Sequence, residues 1–103
     1  MCFDQDLAAR IRSIIQDLEG YSEHEMFGGV GFMLHGNMSC GVNASDLIVR
    51  VGPDAYEQAL SEAFTKEFDM TGRPMRGWVV ITSGGIQTED ALRSWVERGV
   101  QFA

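Results

Sequence analysis

The chain has 103 residues, with 8 Lys and Arg against 15 Asp and Glu, a formal net charge of -7, and 45% hydrophobic residues. A chain this long buries roughly 65% of its unfolded surface, which suffices for one core and not for two. The apolar content excludes disorder, two cysteines exclude a disulfide scaffold, and the acidic balance opposes non-specific nucleic-acid binding, which relies on Lys and Arg.

The first predicted element is a helix. Phe3, Leu7, Ile11, Ile14, Ile15 and Leu18 recur at spacings of three and four, one stripe of a helix. Asp4 and Asp6 suit its first turn, and Gly20 can close it. From Glu23 to Val51 the period becomes two. Met26 to Leu34 holds Gly28, Gly29 and Gly31, so it reads as one extended segment kinked or bulged at Gly28-Gly29. Gly36-Asn37 reads as a two-residue hairpin loop, which would set His35 opposite Met38, Met33 opposite Cys40 and Phe32 opposite Gly41. Asn43 to Asp46 forms the next turn, leading into the strand Leu47 to Val51.

Pro53 suits the first position of a second helix, with Tyr56, Ala59, Leu60, Ala63 and Phe64 as its buried stripe. Phe68 and Met70 suggest a short strand, Thr71 to Gly77 a loop, and Trp78 to Ile81 a strong strand ended by Gly84-Gly85. Thr88 is a good N-cap for a last helix, whose apolar face holds Leu92, Trp95, Val96 and Phe102. No repeat, linker or low-complexity segment interrupts the chain, so residues 1–103 read as one domain. The expected fold is α+β: one antiparallel sheet of about five strands with three helices mostly on one face, in the order α-β-β-β-α-β-β-α.

No apolar run approaches the roughly 18 residues of a membrane span, and the first residues lack the basic and apolar stretches of a signal peptide. A cytoplasmic protein with Cys2 and Cys40 reduced is expected, with no membrane partner. His24 and His35 stand at no metal-ligand spacing with the cysteines, so neither a metal nor a cofactor is expected.

Four strings carry a family resemblance. Met26-Phe27-Gly28-Gly29-Val30-Gly31-Phe32-Met33, Met38-Ser39-Cys40-Gly41-Val42, Leu47-Ile48-Val49-Arg50-Val51-Gly52-Pro53 and Thr71-Gly72-Arg73-Pro74-Met75-Arg76-Gly77-Trp78 resemble the N-terminal domain of the TfoX/Sxy family. The likeness runs over nearly the whole chain, in order and spacing. It implies a domain that, in longer members, precedes a helical C-terminal domain. Those members are bacterial competence regulators that act as transcriptional coactivators beside the cyclic AMP receptor protein. Ending after its last helix, this chain reads as the N-terminal domain alone. The resemblance implies no catalytic residues.

Among candidate sites, the loop Thr71 to Gly77 sets Arg73 and Arg76 three apart around the stiffening Pro74. Two guanidiniums held so can bind a carboxylate or phosphate, or can pair with the chain's own Asp69 or Glu67. Phe27, Met75 and Trp78 can form an apolar patch rimmed by Arg73 and Arg76, a shape suited to a protein partner. Met26 and Met33 read as core filling. The glycines at 28, 29 and 31 lack the strand-turn-helix setting and the lysine of a phosphate loop. Cys40 and His35 would be diagonal neighbours with no third group to orient the imidazole, so Cys40 reads as a small strand residue. His24, between Glu23 and Glu25, reads as a solvated loop residue.

The expected function is therefore a non-enzymatic regulatory domain that works through protein-protein contacts, with a transcription factor as one such partner. A homodimer is expected as well, since an antiparallel sheet with helices on one face leaves another face or edge for a second copy. The alternative is a sensor domain that holds a small anionic ligand at Arg73 and Arg76. Direct nucleic-acid binding is not expected: the last helix offers Arg93 and Arg98 against Glu89, Asp90 and Glu97.

Overall fold

The computed structural model describes residues 3–26, 28–69 and 74–102. Helix α1 (Gln5–Ile15) starts where the Asp4 side chain accepts the Leu7 N–H at 3.1 Å. It buries Leu7, Ile11 and Ile15 of the predicted stripe, together with Ala8, and leaves Ile14 half-buried. Phe3 lies ahead of it in a parallel bridge to Ala44, and Leu18 lies beyond it, 40% exposed. The strands are β1 (Tyr21–Met26), β2 (Gly29–Leu34), β3 (Asn37–Asn43), β4 (Asp46–Arg50), β5 (Thr65–Asp69) and β6 (Pro74–Ile81). They form one antiparallel sheet in the order β1-β2-β3-β4-β6-β5.

The sheet thus has six strands where the sequence suggested about five. The chain does not kink at Gly28-Gly29 but reverses there, since Met26 pairs with Gly29 and Gly28 has φ 77°. The next hairpin also differs in register. Its loop is His35-Gly36, at φ 52° and 83°, the left-handed pair that a two-residue primed turn requires. Leu34 therefore faces Asn37, Met33 faces Met38, and Phe32 faces Cys40. A bulge at Ser39 absorbs the extra residue. Ser39 is fully buried, and its hydroxyl donates to the Phe32 carbonyl at 3.1 Å.

Helix α2 (Tyr56–Leu60) is short, and Pro53 precedes it in a turn rather than starting it. Tyr56 and Ala59 are buried, but Ala63 and Phe64 have left the helix. Phe64 sits at φ 64°, is 57% exposed, and accepts the Thr82 N–H on its carbonyl at 2.8 Å. A single turn, Ser83–Gly85, leads towards α3 (Glu89–Phe102), where the Thr88 hydroxyl caps the Ala91 N–H at 3.1 Å. Leu92, Trp95 and Val96 are buried there, whereas Phe102 is 43% exposed at the helix end.

All three helices pack on one face of the sheet. Leu7, Ile11 and Ile15 of α1, Tyr56 and Ala59 of α2, and Leu92, Trp95 and Val96 of α3 share one cluster with Phe32, Cys40, Val42, Leu47, Val49, Val79 and Ile81. The strand members of that cluster alternate along each strand, as side chains on one face must. Ile48 and Val80 lie between them, on the other face, and are excluded from the cluster although buried.

An ion pair ties α1 to the edge strand β1. Arg12 Nε and Nη2 donate to the two Glu23 carboxylate oxygens at 2.6 and 2.8 Å, and the Tyr21 hydroxyl donates to the same carboxylate. The Arg12 hydrogen bond holds the Glu23 carboxyl below its ordinary range. A depressed folded value stabilises the fold above the unfolded value, and that contribution is lost as pH falls through the folded one. Glu23→Gln is thus expected to cost about 1 kcal/mol at neutral pH, the upper end for a part-exposed pair. Urea unfolding at pH 7 and again below the usual glutamate range, about 4.3, should show the difference shrinking. A cost that does not change with pH would assign it to packing instead.

Candidate functional site

The helix-free face of the sheet carries the site. Across its middle, Gly31 of β2 stands opposite Gly41 of β3, Gly41 opposite Ile48 of β4, and Ile48 opposite Val80 of β6. Two neighbouring glycines give no side-chain height beside Ile48, which leaves room for a side chain from alongside to fold over them. Met33 and Met38, paired across β2 and β3, wall one side. A Cβ added at Gly41 would come within 2.6 Å of the Met38 methyl carbon, so the thioether lies over the glycine. Phe68 of β5 and Met75 and Trp78 of β6 wall the other side, and Ile48 lies within. The recess measures about 300 Å³, and its lining is almost wholly apolar. The rings of Phe68 and Trp78 are 6.1 Å apart between centroids and tilted by 45°, an aromatic pair in ordinary contact geometry.

Simple alternation would put Met75 and Trp78 on opposite faces of β6. Gly77 prevents this. It has φ 95°, and its carbonyl accepts both the Val51 N–H (2.8 Å) and the Gly52 N–H (3.0 Å). Against β5 the register also shifts, from Glu67 opposite Val79 to Asp69 opposite Pro74, so β6 carries extra residues around Gly77 that reset its alternation. Met75 and Trp78 therefore both line the recess, as a shared patch requires. Arg76 goes the other way. Its guanidinium carbon lies 5.9 Å from the ring of Tyr56, a residue of the helix-side core.

The patch anticipated from sequence is thus assembled in part. Met75 and Trp78 line one recess; Arg76 lies by Tyr56 instead; Arg73 and Phe27 lie outside the described residues. Arg76 makes no ion pair within 4.0 Å among the described residues, so its own pairing with Asp69 or Glu67 is not formed. Met33 is a wall of the recess and not core filling, because alternation along β2 turns Val30 and Phe32 to the helix-side cluster and Met33 to the opposite face.

The sequence also passed over Met38, Ile48, Phe68 and Arg50. Arg50 stands two residues along β4 from Ile48 and opposite Trp78 in the register. Its guanidinium carbon lies 5.4 Å from the Trp78 ring centroid and 5.0 Å from that of Phe102. The signal was present as a lone arginine in Leu-Ile-Val-Arg-Val. In a strand otherwise apolar on both faces, a charged residue marks the face that stays open.

Cys40 sits in the helix-side core, fully buried, and burial pushes its thiol up to about 12. A thiol so placed is neither exposed nor ionised. His35 is exposed in the hairpin loop, and the bulge at Ser39 removes the diagonal relation between the two. His24 is exposed on strand β1 rather than in a loop. Among the described residues no group of three or more His, Cys, Asp or Glu side chains is gathered for a metal ion. No helix among them is long and apolar enough to cross a membrane.

An open antiparallel sheet with every helix on one face and an apolar recess on the other defines an α+β domain whose distinctive surface is its bare sheet face. A family model described as the TfoX N-terminal domain matches residues 13–103, and the chain belongs to that family. Searches of curated proteins and of solved structures gave no match.

Proposed function

We propose that this is a non-enzymatic regulatory domain that acts through protein-protein contacts made by the bare face of its sheet. The observation that carries the reading is the half-covered apolar stripe of Met33, Met38, Phe68, Met75 and Trp78 on a face no helix packs against. Large apolar and aromatic side chains that stay accessible on a folded domain are the usual anchors of an interface, and methionines let such a surface adapt. The likeness to TfoX/Sxy coactivators favours a cytoplasmic transcription factor or polymerase subunit as the partner. The same face is suited to a second copy of the chain, and a homodimer belongs to this reading. The buried, protonated Cys40 supports the absence of thiol catalysis, and the net charge of -7 favours a protein over a nucleic acid.

A Met75→Ser/Trp78→Ser double variant, confirmed folded by circular dichroism, tests the reading beside the wild type. As baits in a native extract, the two should differ: the wild type retains a transcription factor or polymerase subunit that the variant loses. Light scattering should also show twice the monomer mass for the wild type if the partner is a second copy. Equal capture by both baits and monomeric behaviour of both would remove the bare face from the reading.

A further inference from the structure

Four of the eight basic residues are occupied by the chain's own carboxylates: Arg10 by Glu89, Arg12 by Glu23, Lys66 by Asp46 and Arg98 by Glu62. Arg50 is not, although acids outnumber bases 15 to 8. No carboxylate among the described residues lies within 4.0 Å of it, and none of their side-chain hydrogen bonds uses its N–H groups. Instead its guanidinium lies against the rings of Trp78 and Phe102, at 5.4 and 5.0 Å. Ring contacts attract the charge but satisfy none of the five N–H donors. They also keep the long side chain in place before any anion arrives, so less entropy is lost on binding.

Arg50 does not itself line the apolar recess but stands next to it across one side chain, since Trp78 is both a wall of the recess and one of the rings against Arg50. At about 300 Å³, the recess has room for a short apolar chain or a ring. A site of this kind asks for an apolar body joined to one negative group. The overall charge of -7 selects further. A polyanion such as a nucleotide, or an acidic protein segment, is repelled by the whole domain, whereas a single carboxylate feels chiefly the adjacent guanidinium. Arg76 over Tyr56 and the exposed Arg93 of α3 lie away from the recess and add no second cation to it.

We propose that the recess on the bare sheet face binds a small amphipathic monocarboxylate, with its chain or ring among Met33, Met38, Ile48, Met75 and Trp78 and its carboxylate on Arg50. The proposal does not rest on a protein partner, because the isolated chain is all that its test needs. Octanoate is the probe, with octanol and octylamine as the neutral and cationic controls of equal chain length. Binding is read from the methyl signals of ¹³C-methyl-methionine protein, where the Met33, Met38 and Met75 methyls report the recess directly.

Octanoate should shift those three methyls saturably and bind at least tenfold more tightly than octanol, with octylamine weaker still. Arg50→Gln should remove the advantage over octanol while leaving octanol binding itself unchanged, which shows that the recess is intact. Absence of saturable shifts, equal binding of the three probes, or unchanged octanoate affinity in Arg50→Gln would each overturn the proposal.

Discussion

Gly99→Ala is expected to cost about 2–3 kcal/mol and to lower the melting temperature by roughly 10–20 °C. Gly99 lies within the last turn of α3, and glycine inside a helix ordinarily weakens it by up to about 1 kcal/mol relative to alanine. An alanine should therefore stabilise. The seat of the helix on the sheet reverses the sign. A Cβ at residue 99 would fall 2.2 Å from the Ser39 carbonyl oxygen and 3.0 Å from its carbon, inside any tolerated contact. Ser39 cannot easily retreat, being the bulge residue of β3, fully buried and hydrogen-bonded through its hydroxyl to Phe32. Either α3 must lift from the sheet or β3 must deform. Thermal unfolding of the variant measures the balance, and a melting temperature equal to or above the wild type would show that α3 does not sit against β3 as described.

The second large effect lies in the core beneath. Phe32 is fully buried in the helix-side cluster. Phe32→Ala removes the whole phenyl ring from a close-packed interior and leaves a cavity, at a cost of about 3–5 kcal/mol. For a domain with a total of roughly 5–15 kcal/mol, this brings the chain near its unfolding limit. Trp78→Ala offers the contrast. It removes a larger side chain, but one only half-covered on the bare face, and should cost roughly 1 kcal/mol. Equilibrium unfolding in urea separates the two. Equal losses would mean that both faces of the sheet stabilise the monomer alike, and that the recess is structural rather than a surface held open.

The match between sequence and structure varies with how local each decision is. Helix α1, strand β4 and helix α3 were legible because each carries its own signal: a three-four stripe, a run of β-branched residues, and a threonine cap ahead of two acids. Strand β1 was not. Ser22-Glu23-His24-Glu25 shows no apolar alternation, since it is a sheet edge with a single neighbour and Glu23 is occupied by Arg12. Phe64 continued a helical stripe in sequence, yet the chain leaves the helix after Leu60 and Phe64 bonds instead to Thr82.

For the site, Met75 and Trp78 were readable as a pair on a glycine- and arginine-flanked segment. Arg76 was misplaced beside them because nothing local announces that β6 shifts its register against β5 around Gly77. Met33, Met38, Ile48, Phe68 and Arg50 come from four strands that meet in a sheet where β6 inserts between β4 and β5. Such pairing depends on hydrogen bonds between segments far apart in the chain, which no window of residues contains. By itself, then, the sequence determined the class of fold, the family, most helices and the polarity of the surface, because composition and period act over a few residues. The tertiary structure decided which face of each strand is covered, where the bulges fall and which cation stands beside the apolar recess, because these follow from strand order and from the close approach of α3 to β3.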